Sequence, residues 1–296
     1  MKQTNRILSI LLAISLIFLC SCSKPKPISS EDRLTVYFFD VGQADSSLLI
    51  FPDGLTVLID CGNKADGPLI ADFLKENSIK SIDYFIATHP HEDHIGGMDD
   101  IFLVAEIKTV CAPNFNGNEP KSKYQTNLME NIEKEKAELL SLNENTIIIN
   151  KDNYNIKSLS PTKDSVYSDI NDYSLCLLIN CFSNTLLFTG DAEEPAETDM
   201  AKLNVNLDAD ILKVGHHGSQ DSSKTAFLSL VTPKVSIISS GKGNSYGHPR
   251  TEALERLHNI GSEIYRTDTV GTVIAKCYEG GFNIETDKSL CLDGDR

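Results

Sequence analysis

Thr88-His89-Pro90-His91-Glu92-Asp93-His94-Ile95-Gly96-Gly97 decides how the rest of the chain is read. It leaves Ile82–Ala87, an apolar run of strand length, and brings three of the seven histidines into six residues. In a loop at a strand end, imidazoles two apart followed by a carboxylate and a third imidazole can face two neighbouring metals. His89 and His91 would serve the first metal, and Asp93 and His94 the second. Nitrogen and oxygen donors of this kind suit zinc, and also manganese where carboxylates dominate. Gly96 and Gly97 let the following helix start close beneath the site. Histidines scattered on a polar surface have no reason to crowd behind a buried strand, so the stretch predicts a metal centre.

Two later stretches can complete it. Leu186-Leu187-Phe188-Thr189-Gly190-Asp191 is an apolar strand ending in a carboxylate that Gly190 leaves uncrowded, which suits a bridging ligand. The competing reading of Asp191 is a helix N-cap for the segment that follows. Val214-Gly215-His216-His217-Gly218-Ser219 also follows an apolar strand. One of its imidazoles is expected on the metal held by Asp93 and His94, with His216 favoured and His217 left as a possible ligand or an orienting group. No CxxC pair occurs, which argues against a cysteine-based zinc site.

The chain of 296 residues is 41% hydrophobic and 23% charged, with a formal net charge of −15. These values fit one large αβ domain and exclude a largely disordered chain. The acidic balance opposes tight non-specific binding to nucleic acid, but two divalent ions in a pocket would reverse the sign locally. At the N-terminus, Lys2 and Arg6 precede an apolar run over Ile7–Leu19 that is too short to span a bilayer. Leu19-Cys20-Ser21-Cys22 is similar to a bacterial lipobox. Residues 1–21 are therefore expected to be a lipoprotein signal peptide, Cys22 the lipidated residue, 22–33 a tether and 34–296 a hydrolase domain. Nothing after residue 21 is long and apolar enough to span a bilayer, so transport is not expected of this chain.

Between these landmarks the pattern alternates. Strand-like runs at 34–39, 46–51 and 55–60 flank a Pro52-Asp53-Gly54 hairpin turn. A helix is expected over Pro68–Glu76 and another over Gly96–Val104, with the charged segment Tyr124–Leu142 helical throughout. A hairpin over Tyr173–Asn180 and Thr185–Phe188 then opens a second half of alternating strands and helices. Two sheets between helical layers are the expected architecture.

In this order, HxHxDHxGG, TGD and GHHGS resemble the metallo-β-lactamase superfamily. More narrowly, Phe39-Asp40-Val41-Gly42-Gln43-Ala44-Asp45 and Leu58-Ile59-Asp60-Cys61-Gly62 resemble the soluble domain of ComEC-type DNA-uptake proteins. Asn171-Asp172-Tyr173-Ser174-Leu175, Tyr246-Gly247-His248-Pro249 and Tyr265-Arg266-Thr267-Asp268 extend that resemblance. It implies a four-layer αββα sandwich of the α/β class, two metal ions and hydrolysis of a phosphate ester. Two departures stand out. Ala44 replaces a usual glycine, and Asn171-Asp172 occupies the region where many superfamily members carry a third histidine. Asn171 is then the expected weaker ligand, with Asp172 an alternative.

A water shared by the two ions would be the nucleophile, with Asp93 orienting it and His248 protonating the leaving oxygen or binding phosphate. Ser219, Asn244 and Tyr246 are expected to contact substrate, as is Lys213. Asp45 and Asp60 are read as structural, fixing turns at strand ends. The first substrate class is a phosphodiester, extracellular nucleic acid or a cell-wall polymer, reached from the outer face of the membrane. A phosphorylcholine-type wall ester, a lactone, and a non-catalytic binding lipoprotein are the alternatives, and no protein partner is expected.

Overall fold

The computed structural model describes residues 32–290; the expected leader, Cys22 and the expected tether up to residue 31 lie outside them. Six strands open the chain: β1 (Leu34–Phe38), β2 (Ser46–Ile50), β3 (Thr56–Cys61), β4 (Ser81–Ile86), β5 (Glu106–Pro113) and β6 (Glu138–Leu142). The next seven are β7 (Ile147–Lys151), β8 (Tyr154–Ser158), β9 (Leu177–Cys181), β10 (Asn184–Phe188), β11 (Ile211–Lys213), β12 (Val235–Ile238) and β13 (Glu263–Arg266). β14 (Thr272–Tyr278) and β15 (Gly281–Asp287) close the chain. The first sheet runs β15-β14-β1-β2-β3-β4-β5-β6 and the second β13-β12-β11-β10-β9-β8-β7. In both, hairpins build an antiparallel half and helical crossovers a parallel half, β3 to β6 and β10 to β13.

Period-2 alternation sorts the side chains into layers. Val36, Phe38, Leu49, Val57 and Ile59 meet Leu177, Ile179, Leu186 and Phe188 between the sheets, where the Phe38 and Phe188 rings stack at 5.5 Å. Leu48 and Leu58 face the other way, onto the helices α1 (Gly67–Glu76), α2 (Glu92–Ile95), α3 (Met98–Val104) and α4 (Lys123–Glu135). Leu178, Leu187 and Leu212 pack against α5 (Glu194–Ala201), α6 (Thr225–Val231) and α7 (Thr251–Asn259). The result is the expected αββα order of layers. No helix among the described residues is long and apolar enough to cross a membrane. Cys61, Cys111, Cys176, Cys181 and Cys277 are buried free thiols that pack as small hydrophobes.

Two expectations change. The helix expected over Tyr124–Leu142 stops at Glu135, because Lys136 takes a left-handed conformation (φ 58°) and the chain re-enters the first sheet as β6, parallel to β5. A charged helical pattern could not show that edge strand. The strand expected from Tyr173 begins only at Leu177; Asn171–Tyr173 is instead one 3-10 turn, which carries Asn171 to the rim of the site.

Lys213, expected to touch substrate, is buried and donates to Asp45 Oδ2 at 2.7 Å. This pair ties β11 of the second sheet to the loop before β2 of the first. Lys213→Met should therefore destabilise the fold by about 3–5 kcal/mol, since it leaves the Asp45 carboxylate buried without its cation. Urea denaturation checks this, and a loss below about 1 kcal/mol would refute the ion pair as a tie between the sheets.

Candidate metal centre

Apart from Asn171, which sits in the 3-10 turn before the antiparallel strand β9, the candidate ligands leave the C-terminal ends of parallel strands, where an open αβ sheet presents its loops. β4 delivers His89 and His91, and α2 then places Asp93 and His94 in its first turn. The glycines that follow are needed for closeness: a Cβ on Gly97 would lie 2.3 Å from the Cys61 carbonyl oxygen. β10 delivers Asp191 through Gly190, whose φ of 51° favours glycine and where a Cβ would crowd the Ser174 side chain at 3.0 Å and that of Thr88 at 3.1 Å. β11 delivers His216 and His217 in a 3-10 turn where both take left-handed φ, 48° and 51°.

These side chains converge. Asp93, His94, Asp191 and His217 each offer a donor atom within one cluster narrow enough for a single ion. His94 Nε2 lies 3.2 Å from Asp191 Oδ1, and His217 Nε2 lies 3.3 Å from Asp93 Oδ2 and 3.8 Å from Asp191 Oδ2. His89 Nε2 is 3.9 Å from Asp191 Oδ2 and 2.9 Å from His91 Nδ1. Asp191 thus lies within reach of imidazoles from both histidine-bearing loops, which suits a ligand shared between two ions.

The outer nitrogens of the rings are already committed. His94 Nδ1 donates to Asp60 Oδ2 at 2.8 Å, and Asp60 also accepts from the Thr88 amide at 2.9 Å and hydroxyl at 2.7 Å. The same Thr88 hydroxyl oxygen lies 3.2 Å from His89 Nδ1 and can accept from it while donating to Asp60. His217 Nδ1 donates to the Ser239 carbonyl at 3.0 Å. In each ring Nδ1 is held outward, so Nε2 faces the Asp191 side. Burial opposes charge on His94 and His217, but Asp191 with Asp60 raises the first well above its usual range and Asp191 with Asp45 raises the second, so their Nε2 atoms carry protons that a metal would displace. Burial, with the neighbouring His94, holds the His89 imidazole well below its usual range, so it is neutral as a ligand must be. Burial would raise the Asp93 carboxyl, yet the His217 hydrogen bond and the His94 charge hold it lowered and ionised.

The sequence profile of the metallo-beta-lactamase superfamily matches residues 40–242, which contain this whole cluster. The chain belongs to that superfamily. It is 30% identical over 275 residues to ComE operon protein 3 of Bacillus subtilis (strain 168), covering 87% of this chain and 34% of that protein. It is 28% identical over 284 residues to Recombination protein 2 of Haemophilus influenzae, covering 93% of this chain and 32% of the relative. The chain therefore spans about a third of the length of these relatives. Among solved structures, a mutant of the CmlA beta-hydroxylase superposes with a TM-score of 0.53 at 10% identity, covering 87% of this chain and 54% of that one, which shows a shared fold.

The donors present fit the metals that the superfamily implies. Asn171 Oδ1 is buried without a hydrogen-bond partner, a costly state for a polar atom unless a cation satisfies it, and the buried His94 Nε2 and Asp191 Oδ1 have only each other, at 3.2 Å and outside good hydrogen-bond geometry. His89 Nε2 and His91 Nδ1 also bring two nitrogens together with no carboxylate between them. A pocket of about 320 Å³ opens over the cluster, lined by Gln43, His91, Glu92, Asp93, Asn171, Asp191, His216, His217, Tyr246 and His248.

Several superfamily positions singled out above have other tasks. The favoured His216 stays outside the four-residue cluster: its Nδ1 pairs with Glu193 Oε1 at 2.8 Å, and His217 takes the place expected of it. Burial opposes charge on His216, but Glu193 and Asp191 raise it to about 9. Asp172 turns away from the site, and its Oδ1 accepts from the amides of Glu193 and Ala196 at the start of α5. Ser219 Oγ accepts from the Asp221 amide in a local turn and does not line the pocket. Asn244 does not line it either. Its amide bonds the Gly241 carbonyl and the backbone of His248, so it holds the His248 loop in shape.

Tyr246 and His248 do line the pocket. Burial and the facing His216 push His248 down to about 4, so at neutral pH it offers a neutral ring. Gln43, Glu92 and Glu193 escaped the sequence reading. Gln43 sits inside the Phe39–Asp45 motif, and Glu193 is an acid two residues beyond Asp191; both positions were signals in principle.

Proposed function

We propose that the chain is a metal-dependent phosphodiesterase, exported and lipid-anchored through Cys22 on the outer face of the cytoplasmic membrane. The observation that carries the reading is the convergence of Asp93, His94, Asp191 and His217 on one cluster, with His89 Nε2 3.9 Å from the same Asp191 carboxylate. His89, His91 and Asn171 would hold one ion and Asp93, His94 and His217 the other, with Asp191 between them. Zinc suits this mixture of imidazole and carboxylate, and manganese is the second choice. When bound, such ions supply an activated water and polarise the phosphoryl oxygens.

The protein's own residues do the rest. Asp93, on the pocket side of the cluster, accepts a hydrogen bond from the attacking water and aims it. Asp60 and Ser239 keep their imidazoles in the ligating tautomer. His248 hydrogen-bonds a phosphoryl oxygen or the leaving group at the outer wall. Extracellular nucleic acid is the first substrate proposed, on the likeness to the ComEC-type branch. The net charge of −15 supports a wall-bound phosphodiester as the second.

The test is hydrolysis of bis-p-nitrophenyl phosphate by the purified protein with added Zn²⁺ or Mn²⁺. His91→Ala should lower the rate at least about a hundredfold, the order expected when a metal's polarising contribution is weakened. Failure of the loaded wild type to turn over any phosphodiester would overturn the reading.

A further inference from the structure

We propose that Tyr246 is a specificity-determining residue that stacks on a flat aromatic group of the substrate, such as a nucleobase or an aryl ester. The inference rests on the phosphoester reading above and adds the chemical class of the group beside the phosphate. Tyr246 is 62% exposed, one of the few large hydrophobic side chains left open to solvent among the described residues. Its ring lies nearly parallel to that of His248, at 27° and 5.8 Å between centroids. His248 in turn meets His216 edge-on at 5.4 Å, and His216 Nε2 is 3.8 Å from Asp191 Oδ2. The tyrosine is therefore one ring beyond the wall of the metal cluster, where the first substituent of a bound phosphate would emerge.

The loop that carries it is held in place. Gly241 N donates to Gln43 Oε1 at 3.1 Å, and the Asn244 amide closes the loop onto the Gly241 carbonyl and the His248 backbone. An exposed ring on a tied loop is a preorganised platform, which recovers stacking energy without an ordering cost. No Lys or Arg is among the residues lining the pocket, so beyond its histidine rings and the ions they would hold nothing there offers a second phosphate a cation. The pocket suits one phosphate with a ring attached better than a run of phosphates.

Calorimetric binding of adenosine monophosphate, phenyl phosphate and methyl phosphate to the metal-loaded protein tests this without relying on turnover. Wild type should bind both ring-bearing esters roughly tenfold or more tighter than methyl phosphate, the gain that one stacked ring supplies. Tyr246→Ala should erase the difference and Tyr246→Phe should keep it, with methyl phosphate affinity unchanged in both. A gain for adenosine monophosphate alone would specify a nucleobase, and an equal gain for both any aryl ring. Equal affinity for all three esters, or an advantage that survives Tyr246→Ala, would overturn the proposal. Ring preference without phosphodiester hydrolysis would sink the activity and spare this site, whereas hydrolysis without ring preference would do the reverse.

Discussion

Asp191→Asn is expected to lower kcat/KM for a phosphodiester by more than about a thousandfold, as loss of a contribution worth several kcal/mol requires. The Asp191 carboxylate reaches histidines of both loops, with oxygens 3.2 Å from His94, 3.8 Å from His216 and His217, and 3.9 Å from His89. The amide keeps the shape but removes the negative charge and turns N–H groups toward lone pairs meant for cations. The backbone is spared, because the Asp191 amide bonds Ser174 Oγ at 3.0 Å whatever the side chain. The circular dichroism spectrum should therefore match wild type while activity and metal content fall. A variant within tenfold of wild type would show that Asp191 is no shared metal ligand; the N-cap of the following helix is Glu193, so capping is not its task either.

The second large effect is at a residue that touches no substrate. Asp60→Asn should weaken metal binding by about 10- to 100-fold, the usual cost of losing a partner that orients a ligand. Asp60 is fully buried at φ 56°, a left-handed conformation that asparagine tolerates well, so the backbone has no reason to move. The acceptor for the Thr88 amide can remain, since one oxygen does. The other end of the group becomes an NH₂ facing His94 Nδ1, where Oδ2 now accepts at 2.8 Å. A donor there selects the opposite tautomer and puts the proton on Nε2, on the atom that should bind metal. Titration with a chelator-buffered Zn²⁺ series measures the shift, and unchanged affinity would show that Asp60 serves only the turn.

That role for Asp60 marks where reading the chain stopped. The HxHxDHxGG stretch was legible because its spacing and its position behind an apolar strand are both local, and the layers were legible because alternation with period 2 is local too. Asp60 was read as a structural acid at a strand end. Its partner His94 is 34 residues away, and only the pairing of β3 with β4 brings the two together. Lys213 and Asp45 are the same case at 168 residues. His216 and His217 failed for another reason. Consecutive residues that both take left-handed φ point in directions no strand or helix period predicts, so the adjacent histidines could not be told apart. The break at Lys136 was similarly silent, since a lysine carries no signal for a left-handed turn.

Metal content is the most direct test of the central claim. The protein, loaded with excess Zn²⁺, freed of unbound ion and analysed for zinc by elemental analysis, should retain two equivalents per chain. His89→Ala and His217→Ala, one from each proposed set of ligands, should each retain about one. Retention of no zinc by the wild type, or full retention by both variants, would contradict a two-metal centre built on these residues.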